Sequence, residues 1–270
     1  MKIAELEKAL FLRFPREDAE DWDNVGLSCG RPGAEVAAIA CALDASLPAI
    51  EAAAEAGANV LLTHHPIHLS APDAVVDAGR SHPASSPALF RAIEAGVSVI
   101  SLHTNLDRSR EARAILPQLM GLEARSSLEF PADPAKPGLG AVANAEGMTL
   151  GRLAARAAAA FGGAPRVWGG PDSEIRRVAF LGGSLGHLGD ALVGAGAEAV
   201  VTGEAGYHVC QDLLLRGVGA ILLGHDRSER PFVNILQEAA AQICPAARIV
   251  TIDGPQQWWT QPEIEEGGRS

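Results

Sequence analysis

The amino-acid sequence predicts an α/β fold, a largely parallel sheet covered by helices, with a second α/β unit inserted into the first. Two observations carry this. Four segments repeat one pattern, in which a helix ends near a glycine, a short apolar strand follows and a polar cluster closes it: AGANVLLTHH (56–65), AGVSVISLHTN (95–105), AGAEAVVTGE (195–204) and RGVGAILLGHD (216–226). Gly57, Gly96, Gly196 and Gly217 stand where helix C-caps are expected. The runs that follow them are apolar on both faces, as in strands buried between layers of helices. Helices alternating with such strands argue for a parallel arrangement, and in such sheets chemistry gathers beyond the carboxyl ends of the strands.

Along the chain, residues 1–14 place Ile3, Leu6, Leu10, Phe11 and Phe14 at helical spacing between charged residues. That pattern reads as an amphipathic helix, not as a signal peptide, which needs a basic start and an unbroken apolar run. Further strands are expected at 36–43, 177–181 and 248–252. Pro131, Pro134, Pro137 and Gly138 break any helix and mark a boundary, and an Ala-rich helix is expected at 149–161. The expected units are therefore 1–124 with 214–254, an inserted unit at 125–213, and a solvated tail at 255–270.

Bulk properties narrow the function. A chain of 270 residues with 47% hydrophobic and 20% charged content is ordinary globular composition. A formal net charge of −11 with no block of Lys or Arg argues against a nucleic-acid partner. No segment approaches the roughly 20 apolar residues of a membrane span, so a soluble, cytoplasmic protein without a membrane partner is expected. Cys29, Cys41, Cys210 and Cys244 are widely spaced and form no C-x-x-C pair, which points to free buried thiols.

The polar clusters at the strand ends hold His64 with His65, His103 with Asp107, Glu204 with His208, and His225 with Glu229. Scattered histidines have no reason to gather where four strands stop, although hydrogen-bonded loop histidines are the plainer alternative. Imidazole and carboxylate together, with no cysteine, suit Zn, Fe, Mn or Ni. Adjacent side chains leave an extended backbone on opposite sides, so His64 and His65 reach two different ions more easily than one. Asp107 and Glu229 could bridge such ions, and the spacing of His225 and Glu229 puts both on one helix face.

With these residues in view, WDNVGL (22–27), THHP (63–66), SLHTNLD (101–107), TGE (202–204) with His208, and GH-x-x-SE (224–229) resemble, in order, the motifs of the GTP cyclohydrolase 1 type 2 family, also called Nif-three-like dinuclear metal-centre hexameric proteins. The resemblance implies that His64, His65, Asp107, His225 and Glu229 hold two divalent metal ions per subunit. It also implies two interleaved α/β domains and a toroidal homohexamer with its metal sites facing a central cavity. Asp226 and Arg227 depart from the family pattern, which puts the flank of the site in question.

Other residues have two readings each. His103 either orients a ligand or substrate or makes a structural hydrogen bond. Glu204 and His208 form an acid/base pair, or a helix-start carboxylate and a loop histidine. Asp23 and Asn24 shape a turn reaching toward the site, which turn chemistry alone also explains. LGGSLGHLGD (181–190), with Gly182, Gly183 and Ser184, is read as a cradle for the phosphate of a nucleotide or other phosphorylated small molecule, or else as a tight strand–helix connection. The expected function is a metal-dependent hydrolase, with GTP ring opening implied by the resemblance. The alternative is a ring-shaped, non-catalytic metal-binding scaffold or partner-binding protein.

Overall fold

The structure is a computed structural model and describes residues 1–77, 82–254 and 258. Apart from Trp258, the expected tail at 255–270 lies outside the described residues. The first part of the chain runs α1 (Ile3–Arg13), β1 (Gly26–Cys29), β2 (Ala38–Ala42), α2 (Leu47–Glu55), β3 (Val60–Thr63), α3 (Ser85–Ala95), β4 (Ser98–Ser101), α4 (Thr104–Asp107) and α5 (Arg110–Leu119). There follow β5 (Ala124–Ser126), β6 (Ala141–Thr149), α6 (Leu150–Phe161), β7 (Arg166–Trp168), β8 (Glu174–Ser184), α7 (Gly189–Gly194), β9 (Ala199–Glu204), α8 (Tyr207–Leu215) and β10 (Gly219–Leu222). The chain closes with α9 (His225–Glu229), α10 (Phe232–Ile243) and β11 (Arg248–Thr251).

The fold is mixed α/β, built on two sheets with strand orders β1-β4-β3-β2-β11 and β5-β6-β8-β9-β10-β7. The four repeated segments become β3 and β4, neighbours in one sheet, and β9 and β10, neighbours in the other. Gly57, Gly96, Gly196 and Gly217 all have positive φ, which closes the preceding helix at little steric cost. Expected helices occur with local start signals: Thr149 caps the N-terminus of α6 by accepting from the Arg152 amide, and Ser46 that of α2 by accepting from the Ala49 amide.

Each sheet has a parallel centre, β11-β2-β3-β4 and β8-β9-β10, to which β1, β6 and β7 add antiparallel. β5 extends the second sheet antiparallel to β6. The expected inserted unit, 125–213, stops short of β10, which pairs with β9 and β7 in the six-stranded sheet. The strand's local sequence reads alike for either sheet, and only this pairing assigns it. The proline-rich stretch is the connection between β5 and β6.

Alternation along the strands sorts the core into three layers. Ile39, Leu62 and Ile100 of the first sheet and Phe180, Val201 and Ile221 of the second face one shared core with α1, α5, α6 and α10. On the outer faces, Leu61 and Val99 pack with α2 and α3, and Val200 and Ala220 with α7 and α8. All four cysteines are free, and burial pushes the Cys41 thiol up to about 12. Among the described residues no helix is long and apolar enough to cross a membrane. Phe180 is fully buried in β8, between the two sheets. Phe180→Ala is expected to destabilise the fold by about 3–5 kcal/mol, measured by urea denaturation.

Candidate metal centre

The site forms where the parallel strands of both sheets end. His64 and His65 follow β3 directly, and His103 follows β4 as the residue before α4, which ends on Asp107. From the other sheet, the glycine at 224 closes β10 and opens α9, which begins at His225 and ends at Glu229. The alternation that puts Val60 and Leu62 in the shared core continues to His64, whose exposure is 0%.

Four imidazoles are held by Nδ1. His64 Nδ1 donates to the Leu102 carbonyl at 3.0 Å, His65 Nδ1 to Asp44 at 2.7 Å, His103 Nδ1 to Asp23 at 2.8 Å and His225 Nδ1 to Glu204 at 3.0 Å. An oxygen at Nδ1 fixes the tautomer and leaves Nε2 for a ligand. The case is clearest at His64, where Nε2 has no hydrogen-bond partner and lies 3.6 Å from Asp107 Oδ1 and 3.7 Å from Glu229 Oε1. A lone pair facing two carboxylates in a buried site is repulsive unless a cation lies between them.

Glu229, 4% exposed, divides the cluster. Its Oε1 faces His64, while Oε2 lies 2.8 Å from His65 Nε2 and 3.1 Å from His225 Nε2. Among the described residues, two groups of side chains could each hold a metal ion: His65, His225 and Glu229, and His64, His65 and His103. His103 therefore enters the cluster itself, beyond the orienting role its sequence position allowed.

The electrostatics follow from this crowding. Burial works against ionising Glu229, yet hydrogen bonds from His225 and His65, with the His64 ring close by, hold its carboxyl well below the usual range. Burial, only partly offset by His64, raises Asp107. His65 is lowered by burial but lifted further by Asp44 and Glu229, to about 10. His225, hydrogen-bonded to Glu229, rises to about 9 despite burial. A cation bound at His65 and His225 would compete with the protons these shifts favour.

The remaining sequence candidates separate. Burial tends to raise Asp23, but His103 and Thr104 donate to it and bring it to about 2. Asn24 donates to the His68 carbonyl at 2.9 Å, tying its turn to the loop after His65. Glu204 accepts from His225 and is not paired with His208, which is exposed on α8 and bonds Gln211. Gly182 and Gly183 end β8 against the cluster: a Cβ on Gly183, at φ +61°, would stand 2.3 Å from Glu229 Oε1. The Gly183 amide donates to Ser228 Oγ at 2.8 Å, and Ser184 Oγ accepts from the Gly186 amide at 3.3 Å. Those glycines admit Glu229, and their geometry is that of close packing. Asp226 and Arg227 face outward, where Asp226 accepts from Trp258 Nε1 at 3.3 Å and Arg227 stacks on the same ring at 4.6 Å.

Sequence reasoning missed Asp44 and Trp22. Asp44 carried a usable signal, as a polar residue just past the expected strand at 36–43. Trp22 stands edge-on to His103, with ring centroids 5.9 Å apart, at the mouth of a 580 Å³ cavity that opens onto His65, Asp107, His225 and Glu229. Asp44→Ala and Glu204→Ala, which remove contacts to Nδ1 alone, should each weaken zinc binding by about 10- to 100-fold in equilibrium dialysis. Wild-type affinity in both would show that these carboxylates do not position the imidazoles.

The sequence model of Duf34/NIF3 (NGG1p interacting factor 3) matches residues 1–256. Two curated relatives, each named GTP cyclohydrolase 1 type 2 homolog, are 30% identical: one from Clostridium acetobutylicum over 223 residues (81% of this chain, 82% of the relative) and one from Streptomyces coelicolor over 250 residues (90% and 85%). Among solved structures, a Staphylococcus aureus hypothetical protein matches with a TM-score of 0.85 at 24% identity, covering 96% of this chain and 99% of that one. Reduced HcgD from Methanocaldococcus jannaschii matches with a TM-score of 0.78 at 23% identity, covering 94% and 98%. Both structural likenesses concern the fold.

Proposed function

Since the chain belongs to the Duf34/NIF3 (NGG1p interacting factor 3) family, we propose that His64, His65, Asp107, His225 and Glu229 hold two divalent cations and that the protein is a metal-dependent hydrolase. The observation that carries this reading is the buried, unpartnered Nε2 of His64 between two carboxylates. The division of Glu229 supports the count of two, since one oxygen faces His64 and the other His65 and His225. Zn, Fe, Mn or Ni suits the donors. Such ions lower the pKa of water and polarise the bond it attacks.

The chain's own groups supply the rest. Asp107 and Glu229 offset the charge of the cations. His103 lines the cavity and is the group best placed to carry a proton, because ionised Asp23 fixes its Nδ1 and orients its other nitrogen. Glu204, placed beforehand as a proton carrier, acts here by holding His225. The relatives' name points to GTP ring opening as the reaction to test first. The proposal includes a cytoplasmic toroidal homohexamer, for which the exposed Tyr207, Leu214 and Leu215 of α8 offer an apolar surface to bury.

Protein purified without chelator should contain two ions per chain by elemental analysis. GTP turnover should vanish on chelation and return with the metal, and His65→Ala should lose an ion and the activity together. Fewer than two ions would sink the dinuclear reading; turnover indifferent to chelation would sink the hydrolase.

A further inference from the structure

Of the four imidazoles in the cluster, His225 has the loosest surroundings. Its side chain is 42% exposed, against 0% for His64, and its Nδ1 contact, Glu204, is itself 58% exposed. A hydrogen bond between two exposed groups fixes geometry weakly. The helix beneath is no firmer by itself: α9 has five residues, far below the length at which a helix is stable alone. The chain enters it through Gly224 at φ +99°, and glycine is the residue with the widest backbone freedom. Ser228 pins the inner side of this turn. The outer side needs a hold of its own.

Trp258, beyond the last strand β11, provides one. Its Nε1 donates to Asp226, with both carboxylate oxygens at 3.3 Å, and the Arg227 guanidinium lies over its ring, 4.6 Å from the centroid. The ring also covers the glycine hinge: a Cβ on Gly224 would stand 3.4 Å from Trp258 Cζ2. The Arg227 guanidinium lies in turn against Gly163, just past α6, where any Cβ would strike it. One indole thus engages three of the four residues from 224 to 227, among them the two that depart from the family pattern. Resting on the reading of His225 and Glu229 as ligands above, we infer that Trp258 is a positioning residue of the metal centre, holding α9 so that His225 stays aimed at the ion it shares with Glu229 and His65. A ligand in place only part of the time weakens the bound ion in proportion, and closing the hinge raises that fraction without any contact to the metal.

Zinc titrations of the full chain in competition with a chromophoric chelator test this. The wild type should bind two ions, and Trp258→Ala should weaken one of them by about fivefold, the scale of one exposed cation–π contact, and leave the other unchanged. His225→Ala identifies which affinity belongs to the group on α9, and in that background Trp258→Ala should change nothing further. Arg227→Ala, which removes the cation over the ring, should reproduce the selective loss, and it decides alone should Trp258→Ala fail to fold. The inference is overturned if folded Trp258→Ala and Arg227→Ala proteins bind both ions as wild type, if both ions weaken equally, or if Trp258→Ala still weakens zinc binding in the His225→Ala chain. A wild type that takes up no zinc rejects the metal reading, and this inference falls with it. Two ions in the wild type and in an indistinguishable Trp258→Ala protein reject this inference alone.

Discussion

Glu229 is a buried carboxylate at the meeting point of two sheets, and the arrangement around it is what that burial requires. Removing such a charge from water costs several kcal/mol unless partners compensate. His65 and His225 sit within hydrogen-bond distance of one oxygen, and His64 faces the other. The backbone makes room: Gly182 and Gly183 lack the side chains that would strike Phe232 and Glu229. Ser228 then pins the preceding turn, accepting from Gly183 and donating to the His225 carbonyl. A short helix, α9, is thereby held with its two candidate ligands, His225 and Glu229, turned toward the cluster.

Much of this was legible in the sequence, because the repeated segments encode strand, glycine stop and polar end within about ten residues each. The strand ends carrying His64, His103, Glu204 and His225 were all located that way. The sheet to which β10 belongs was not, since Gly219–Leu222 is apolar on both faces and would suit either sheet. Edge strands such as β7, with Arg166 and Val167 exposed, lack the apolar run that marks the central ones.

Site chemistry divided along the same line. Histidines and carboxylates at strand ends are local signals, whereas His64, His65, Asp107, His225 and Glu229 were grouped as candidate ligands through the resemblance of their motifs to the family's. The partners of their far nitrogens are not local: Asp44 reaches His65 across 21 residues, and Asp23 reaches His103 across 80. Gly182-Gly183 shows the opposite hazard. The pair resembles an anion cradle in sequence, whereas in space its neighbour is another part of the protein, the side chain of Glu229.

The shared core between the sheets has a consequence for how the protein matures. His64, His65 and Asp107 follow strands of the five-stranded sheet, whereas His225 and Glu229 follow the last central strand of the other. The five-stranded sheet alone carries the group His64, His65 and His103, but the group His65, His225 and Glu229 exists only once the two sheets have docked. Metal capture would then act as an inspection of tertiary assembly: it favours correctly mated molecules and, by mass action, holds them in that state.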